Sequence, residues 1–106
     1  MKTALQILIA GRAVIALPEH WTQGVLARDA FGNKTTEDSC RAVCFCSKGA
    51  LNQVVQTDWT DAFDCAFDAL SGAMKGDMFR FNDQHTHAEV LAAWDRAIRT
   101  AQPVAA

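Results

Sequence analysis

Tyrosine is absent from this 106-residue sequence, and there is no excess of basic residues. The absence of tyrosine leaves fewer polar aromatic side chains for an interface. A formal net charge of −2 argues against generic binding to nucleic acid or to an anionic membrane, since both attract basic surfaces. Repeats and low-complexity tracts are also missing, while hydrophobic residues (50%) and charged residues (21%) occur at ordinary globular levels. We therefore expect one folded domain over residues 1–106.

The amino terminus contains no uninterrupted apolar run long enough to cross a bilayer. A basic start followed by the mainly apolar residues 4–17 superficially resembles a signal peptide, but Gln6 and Arg12 interrupt the run. No small-x-small cleavage site precedes Pro18. We therefore expect residues 3–17 to form a mostly buried helix that Pro18 ends, in a cytoplasmic protein whose cysteines are reduced.

Apolar and small side chains recur every three or four residues between positions 40 and 55. This spacing is typical of a helix with one buried face, and it predicts such a helix over residues 37–55. Two of the four cysteines belong to this face. Its members are Cys40, Val43, Cys44, Ser47, Leu51, Val54 and Val55.

Two further amphipathic segments predict the third and fourth helices. The third helix covers residues 60–73. The fourth begins after Thr86, which forms a capping box with Glu89. The apolar faces of these two helices comprise Ala62, Phe63, Ala66, Phe67 and Leu70 in the third, and Val90, Leu91, Trp94, Ala97, Ile98 and Ala101 in the fourth.

Two connections lack helical periodicity, over residues 18–35 and 75–85. The first is predicted as a long loop or, alternatively, as a short β-hairpin over residues 24–34 that turns near Asp29. The expected fold class is therefore mainly α, with a compact four-helix single domain and two long irregular connections.

The cysteine spacing does not match the familiar zinc sites, because no Cys-x2-Cys or His-x3-His pair exists. Cysteine often packs in cores as a small apolar residue, so we expect core packing, no metal and no cofactor. Cys46 lies off the predicted buried face and is the best candidate for a reactive thiol, with Lys48 close enough to lower its pKa. A nucleophilic pair of Cys46 or Cys65 with a histidine is the alternative.

Aspartates recur at intervals of three and four residues along the predicted third helix, opposite its phenylalanines. Such an acidic ridge is able to dock a basic protein surface or to imitate a phosphate track. The alternative is a solvated helix face whose early aspartates favour the helix dipole. The ridge does not match a calcium-binding loop. We predict partner binding by Asp58, Asp61, Asp64 and Asp68.

Two irregular segments place aromatic, amide and charged side chains on loops, where binding groups tend to occur. Trp21, Gln23 and Arg28 belong to the first segment, and Asn82 and Asp83 belong to the second. We predict that these five residues line a ligand-binding pocket. The alternative is structural, because long loops need buried anchors and side chains that bind free backbone groups.

Six short motifs follow one another along the chain: Trp21-x-Gln23-Gly24, Arg28-x3-Gly32, Cys46-x2-Gly49-Ala50-Leu51, Asn82-Asp83, Glu89-Val90 and Asp95-Arg96-Ala97-Ile98. In this order they resemble a family of small uncharacterised bacterial and phage proteins, a domain of unknown function. The resemblance extends from the first helix to about Arg99. It implies that these positions form one site or one folding frame, and it implies no activity. Gly49-Ala50 would let another backbone approach the second helix closely.

Together these features predict a small non-enzymatic interaction protein, associated with a phage or another mobile element, that binds and occludes a partner protein through its acidic helix face. The expected partner has a basic surface; neither nucleic acid nor a membrane is expected. The alternative is a protein that binds or sequesters a small nucleotide-like ligand at the loops of Trp21 and Asn82, with Arg28 and Arg80 serving the anion. A zinc- or thiol-dependent enzyme is the third alternative. The sequence names neither the partner nor the oligomeric state.

Overall fold

The computed structural model describes residues 2–56 and 60–102. The fold is mainly α, as predicted, with five α-helices in the described residues where the sequence predicts four. No helix in these two ranges is long and apolar enough to span a membrane. The elements are α1 (Ala4–Val14), a 3-10 helix (Pro18–His20), β1 (Ala27–Arg28), β2 (Lys34–Thr35), β3 (Cys44–Phe45), α2 (Ser47–Val55), α3 (Asp61–Ala73), α4 (Met78–Gln84) and α5 (His87–Ala101).

Helix α1 is shorter than the predicted helix over residues 3–17. It starts with a capping box, in which the Thr3 hydroxyl accepts a hydrogen bond from the Gln6 N–H (3.2 Å) and the Gln6 side chain accepts one from the Thr3 N–H (2.9 Å). It ends at Val14, and Leu17, which directly precedes Pro18, takes an extended conformation. The buried face of α1 packs against α2, α3 and α5.

The second helix is also shorter than predicted, because it begins at Ser47 and not near residue 37. Cys44 and Phe45 form β3 instead, and their backbone groups pair with β1. Cys46 then serves as the N-cap of α2, with its Sγ accepting a hydrogen bond from the Gly49 N–H (3.4 Å). The predicted core positions therefore change: Cys40 is exposed and Cys44 is half-buried.

The β-hairpin, given as the alternative for the first connection, is present as part of a three-stranded antiparallel sheet in the order β2-β1-β3. Ala27 pairs with Thr35, and Arg28 pairs with Lys34. At the turn, the Asp29 N–H donates to the Asn33 carbonyl (2.9 Å). The hairpin lies against α2, since a methyl group at position 49 would overlap the carbonyl of Leu26. The prediction that Gly49 lets another backbone approach is thereby confirmed.

The second connection, predicted to be irregular, contains helix α4. Its N-cap is Asp77, whose carboxylate accepts a hydrogen bond from the Arg80 N–H (3.0 Å). Met78 and Phe81 are buried on the inner side of α4. A seven-residue helix presents only these two inward apolar positions one turn apart, so its periodicity is too brief to detect in the sequence.

The core lies between α1, α2, α3 and α5. The indole of Trp94 is fully buried, as expected from its place on the apolar face of the last helix. Helix α5 begins at His87, and the predicted capping box of Thr86 and Glu89 is confirmed. The Thr86 N–H bonds to the Glu89 carboxylate (2.9 Å) and lowers the pKa of that group.

Candidate functional site

The two loop segments singled out in the sequence meet in the structure. The Trp21 Nε1–H donates to Asn82 Oδ1 (2.9 Å), and Asn82 Nδ2 donates to the carbonyl of Thr22 (3.0 Å). Further along both segments, the Gly24 N–H donates to the carboxylate of Asp83 (2.8 Å). Side-chain and backbone groups about 60 residues apart in the chain therefore form one connected frame.

Gln23 connects the first segment to the end of α4. Its Nε2 lies 3.0 Å from the carbonyl oxygen of Asn82, 3.1 Å from that of Asp83 and 3.1 Å from that of His85. The last carbonyls of a helix have no partner within the helix. The amide of Gln23 therefore acts as a C-terminal cap for α4, and this role favours the structural alternative for Gln23.

Asn82 also connects the loops to the core. Its Oδ1 accepts hydrogen bonds from the backbone N–H (3.1 Å) and the hydroxyl (2.9 Å) of Ser47, at the start of α2. The Ser47 hydroxyl in turn accepts a hydrogen bond from Trp94 Nε1 (3.1 Å). Ser47 and Asn82 are 0% and 1% exposed. We call the connected residues the Asn82 network: Trp21, Thr22, Ser47, Asn82 and Trp94.

The guanidinium of Arg28 makes its hydrogen bonds within its own loop and the hairpin. Its Nε donates to the Thr22 hydroxyl (2.9 Å), one terminal nitrogen donates to the Gly32 carbonyl (3.0 Å), and the other donates to the Gln23 carbonyl (3.2 Å). Arg28 thus connects the loop of Gln23 to the turn of the hairpin. Arg80, the other predicted anion ligand, is exposed on α4.

A cleft of about 310 Å³ opens beside this frame, between the hairpin and α4. Of the five predicted ligand-binding residues, Asp83 lines the cleft, and Gly24 of the same motif lines it as well. Cys46, the candidate reactive thiol, lines it too. The remaining lining residues have no signal in the sequence, because no spacing connects residues 34–37 with Phe79. The full lining comprises Gly24, Val25, Leu26, Lys34, Thr35, Thr36, Glu37, Cys46, Phe79 and Asp83.

The Cys46 thiol at this cleft is not an activated nucleophile. It is 4% exposed, and burial raises its pKa above the ordinary value of 9.0, with the charge of Asp83 acting in the same direction. The N–H groups of Gly49 and Lys48 lower the pKa by less. The expectation that Lys48 activates this thiol is therefore wrong. The Lys48 ammonium instead donates to Asn52 Oδ1 (2.8 Å) and lies 5.7 Å from the ring centres of two phenylalanines of α3.

The predicted acidic ridge follows the outer side of α3. Asp61, Asp64 and Asp68 are all exposed, and their side chains make no hydrogen bond or ion pair with any residue in the described ranges. We call these three residues the acidic face of α3. The exposed Cys65 lies among them. The fourth predicted member, Asp58, lies outside the described residues.

Among residues 2–56 and 60–102, no three histidine, cysteine, aspartate or glutamate side chains are grouped so that they would hold a metal ion. Three of the cysteines lie in different surroundings: Cys40 is exposed in the loop before β3, Cys46 caps α2, and Cys65 is exposed on α3.

Neither the curated proteins nor the solved structures contain a match to this chain. A family model described as a family of unknown function (DUF6197) matches residues 1–100. The match confirms the resemblance to an uncharacterised domain that the six ordered motifs indicate, and it spans every helix and strand through most of α5. The chain therefore belongs to this family of unknown function, DUF6197.

Proposed function

We propose that this protein binds a partner protein through the acidic face of α3 and catalyses no reaction. The observation that supports the proposal is the placement of three carboxylates on one exposed side of a helix, with no cation of the described residues paired to them. Unpaired carboxylates in a row attract a basic surface and orient it as it approaches. A bound domain would then cover that surface and occlude it.

The acidic face belongs to a helix that packs against the core. On the inner side of α3, Phe63, Ala66 and Leu70 are buried against the core. At the end of α3, Arg96 of α5 donates to the carbonyl of Ala73 (3.1 Å). Charges on a preorganised helix lose little conformational entropy on binding, which favours a complex with a basic partner.

The cellular setting in this proposal is the cytoplasm, with the protein acting as an accessory protein of a phage or another mobile element. This setting rests on an analogy with small proteins that act by binding and blocking.

The proposal is tested by affinity capture from the source cells with a triple variant, Asp61→Asn, Asp64→Asn and Asp68→Asn. The matched control, Glu19→Gln with Asp38→Asn, removes exposed carboxylates outside α3. We expect the wild-type protein and the control to retain the same basic protein at low salt, and the triple variant to lose it. Release of that protein between about 50 and 300 mM salt is also expected, because screening weakens exposed charge pairs. Equal capture by all three proteins would exclude the acidic face.

A second candidate function is the binding of a small nucleotide-like ligand at the loops of Trp21 and Asn82. The observation that favours it is the cleft beside the frame, which Gly24 and Asp83 line. Ligands that bind only the folded state raise its melting temperature. A nucleotide that raises the melting temperature of the wild-type protein but not of Asp83→Asn would support this candidate over the first.

A further inference from the structure

We propose that the cleft between the hairpin and α4 receives the side chain of an arginine presented by another protein. The proposal goes beyond the acidic face of α3 and does not depend on it, since the lining of the cleft includes no residue of α3. It follows from three properties of the cleft: an uncovered aromatic wall, two carboxylates from separate elements, and apolar residues in the lining.

The aromatic wall is Phe79. Its side chain is 51% exposed although it borders a concave surface, so a large part of its ring has no covering residue. Asp83 follows Phe79 by one helical turn on α4, and residues four apart lie side by side on a helix. An aromatic ring and a carboxylate are therefore neighbours on the same wall.

The second carboxylate, Glu37, follows β2 and lines the same cleft. Each carboxylate is held in place through one of its oxygens. Glu37 Oε1 accepts a hydrogen bond from Asn52 (3.0 Å), and Asp83 Oδ1 accepts one from the Gly24 N–H (2.8 Å). The other oxygen of each carboxylate has no hydrogen-bond partner in the described ranges. Both carboxylates are thus oriented and still able to accept hydrogen bonds.

The charge of the lining residues favours a cation as the ligand of this cleft. The lining contains two carboxylates and a single cation, Lys34, which makes no ion pair with a described residue. A guanidinium group is planar, presents several N–H donors to carboxylates and stacks on aromatic rings. Its aliphatic stem would pack on Val25 and Leu26, which also line the cleft. A volume of about 310 Å³ lies at the lower end of the range of ligand pockets and is sufficient for one side chain.

The test uses N-acetyl-arginine amide as the probe and N-acetyl-citrulline amide as its neutral isostere, each titrated into 15N-labelled protein and followed by NMR. We expect the arginine probe to shift the amide signals of residues 24–26, 34–37 and 79–83, and the citrulline probe to leave them unchanged at the same concentration. Shifts spread over the whole surface, or equal shifts with citrulline, would overturn the proposal.

Four variants sharpen this test. Glu37→Gln retains an oxygen for Asn52 but removes the charge, and we expect it to weaken binding by about two- to fivefold, typical of an exposed ion pair. Phe79→Ala removes the aromatic wall and is expected to weaken binding by about two- to fivefold. Lys34→Ala removes the like charge and is expected to strengthen binding. The control, Glu19→Gln, removes an exposed carboxylate outside the cleft and outside α3, and it is expected to change nothing.

The sign of the Lys34→Ala effect separates this proposal from its competitors. Weaker binding in that variant would show that the cleft attracts anions. A fifth variant, Asp61→Asn, tests the acidic face of α3. Loss of binding in this variant, with no loss in Glu37→Gln or Phe79→Ala, would place the cation on that face. Either result would overturn the arginine site, and the second would leave the proposed function standing.

Discussion

Asn82 is the residue on which the two loops depend. Its side-chain oxygen lies within hydrogen-bond distance of three donors, and its side-chain nitrogen donates to the carbonyl of Thr22. A side chain with 1% exposure and no unused hydrogen-bonding group has no capacity left for a ligand. At this position the structure favours an anchor, and the ligand-binding prediction stays testable at Asp83.

Asn82→Ala should therefore destabilise the fold. The substitution leaves donors of Trp21 and Ser47 without their acceptor, and buried unpaired groups cost about 1–3 kcal/mol each. We expect the free energy of unfolding to fall by about 2–4 kcal/mol. Urea denaturation followed by tryptophan fluorescence measures this loss. The control is Asp83→Ala at the neighbouring exposed position, where the loss should stay below about 1 kcal/mol. A comparable loss in both variants would contradict the role of Asn82.

The four cysteines differ in exposure, and we expect the exposed thiols to react faster than the buried one. Cys40 and Cys65 are exposed, whereas Cys46 is buried and its raised pKa favours the thiol over the reactive thiolate. We expect iodoacetamide at pH 8 to label Cys40 and Cys65 in minutes and to spare Cys46, as shown by peptide mass spectrometry. Fast labelling of Cys46 in the native protein would contradict this prediction, whereas labelling that occurs only after unfolding would agree with it.

The same pKa shift has a consequence for stability. Because burial raises the pKa of Cys46 in the folded state, the folded and unfolded states are both protonated at neutral pH, and stability is unaffected there. Above the ordinary value of 9.0, the unfolded state loses its proton first, so stability should fall as the pH rises. Cys46→Ser should reduce this alkaline decline, as measured by urea denaturation between pH 8 and pH 10.5.

At the scale of elements, the hairpin and α2 are mutually dependent. The backbone of Leu26 lies directly against Gly49, and the Cys46 N–H donates to the Leu26 carbonyl (3.1 Å). Two-residue strands supply few hydrogen bonds of their own. Contact with α2 therefore positions the hairpin, and the hairpin in turn forms one side of the cleft.

Gly49→Ala and Gly72→Ala should have opposite effects, although both glycines lie in helices. A methyl group at position 49 would overlap backbone that cannot move without shifting β1, so we expect a loss of about 2–3 kcal/mol. Gly72 lies on the exposed side of α3, and a methyl group there would meet no atom within 4 Å. There we expect a gain of about 0.5–1 kcal/mol, from the higher helix propensity of alanine. Thermal and urea denaturation compare the two, and losses of similar size would contradict the role of the hairpin contact.

At the scale of the whole molecule, different surfaces carry the two binding proposals. The acidic face of α3 offers unpaired charge on a helix packed against the core, and the cleft combines carboxylates with an aromatic ring. Both proposals require attraction of positive charge, so one basic protein partner would satisfy the two together.

Native mass spectrometry of the purified protein tests the whole-molecule picture. No group of metal-ligating side chains occurs in residues 2–56 and 60–102, and the cysteine spacing lacks paired zinc ligands. We therefore expect the mass of the bare chain or a simple multiple of it. Additional mass equal to one zinc ion per chain would favour a zinc-dependent enzyme, the third alternative from the sequence. In that case a chelator should remove the extra mass and lower the stability.

The amphipathic faces of the longer helices were determined by the sequence alone. The capping box at Thr86, the burial of Trp94 and the inner side of α3 follow from residues within one or two helical turns, where local spacing carries the information. The same reasoning failed at residues 37–46, where a helical spacing of small and apolar residues coincided with a loop and a strand. Pairing with β1 satisfies backbone hydrogen bonds of Cys44 and Phe45. This contact is long-range, so the local periodicity of the sequence does not indicate it.

Only the tertiary structure decided how the loops and the cleft are arranged. The motifs of Trp21 and Asn82 were recognised in the sequence, but their contact depends on the packing of α4 and α2 against each other. The cleft combines Glu37, Phe79 and Asp83 from a loop and a helix more than 40 residues apart, with no periodic signal between them. Side chains that meet only after distant elements pack leave no pattern in a single sequence, so the fold class was predictable and the site was not.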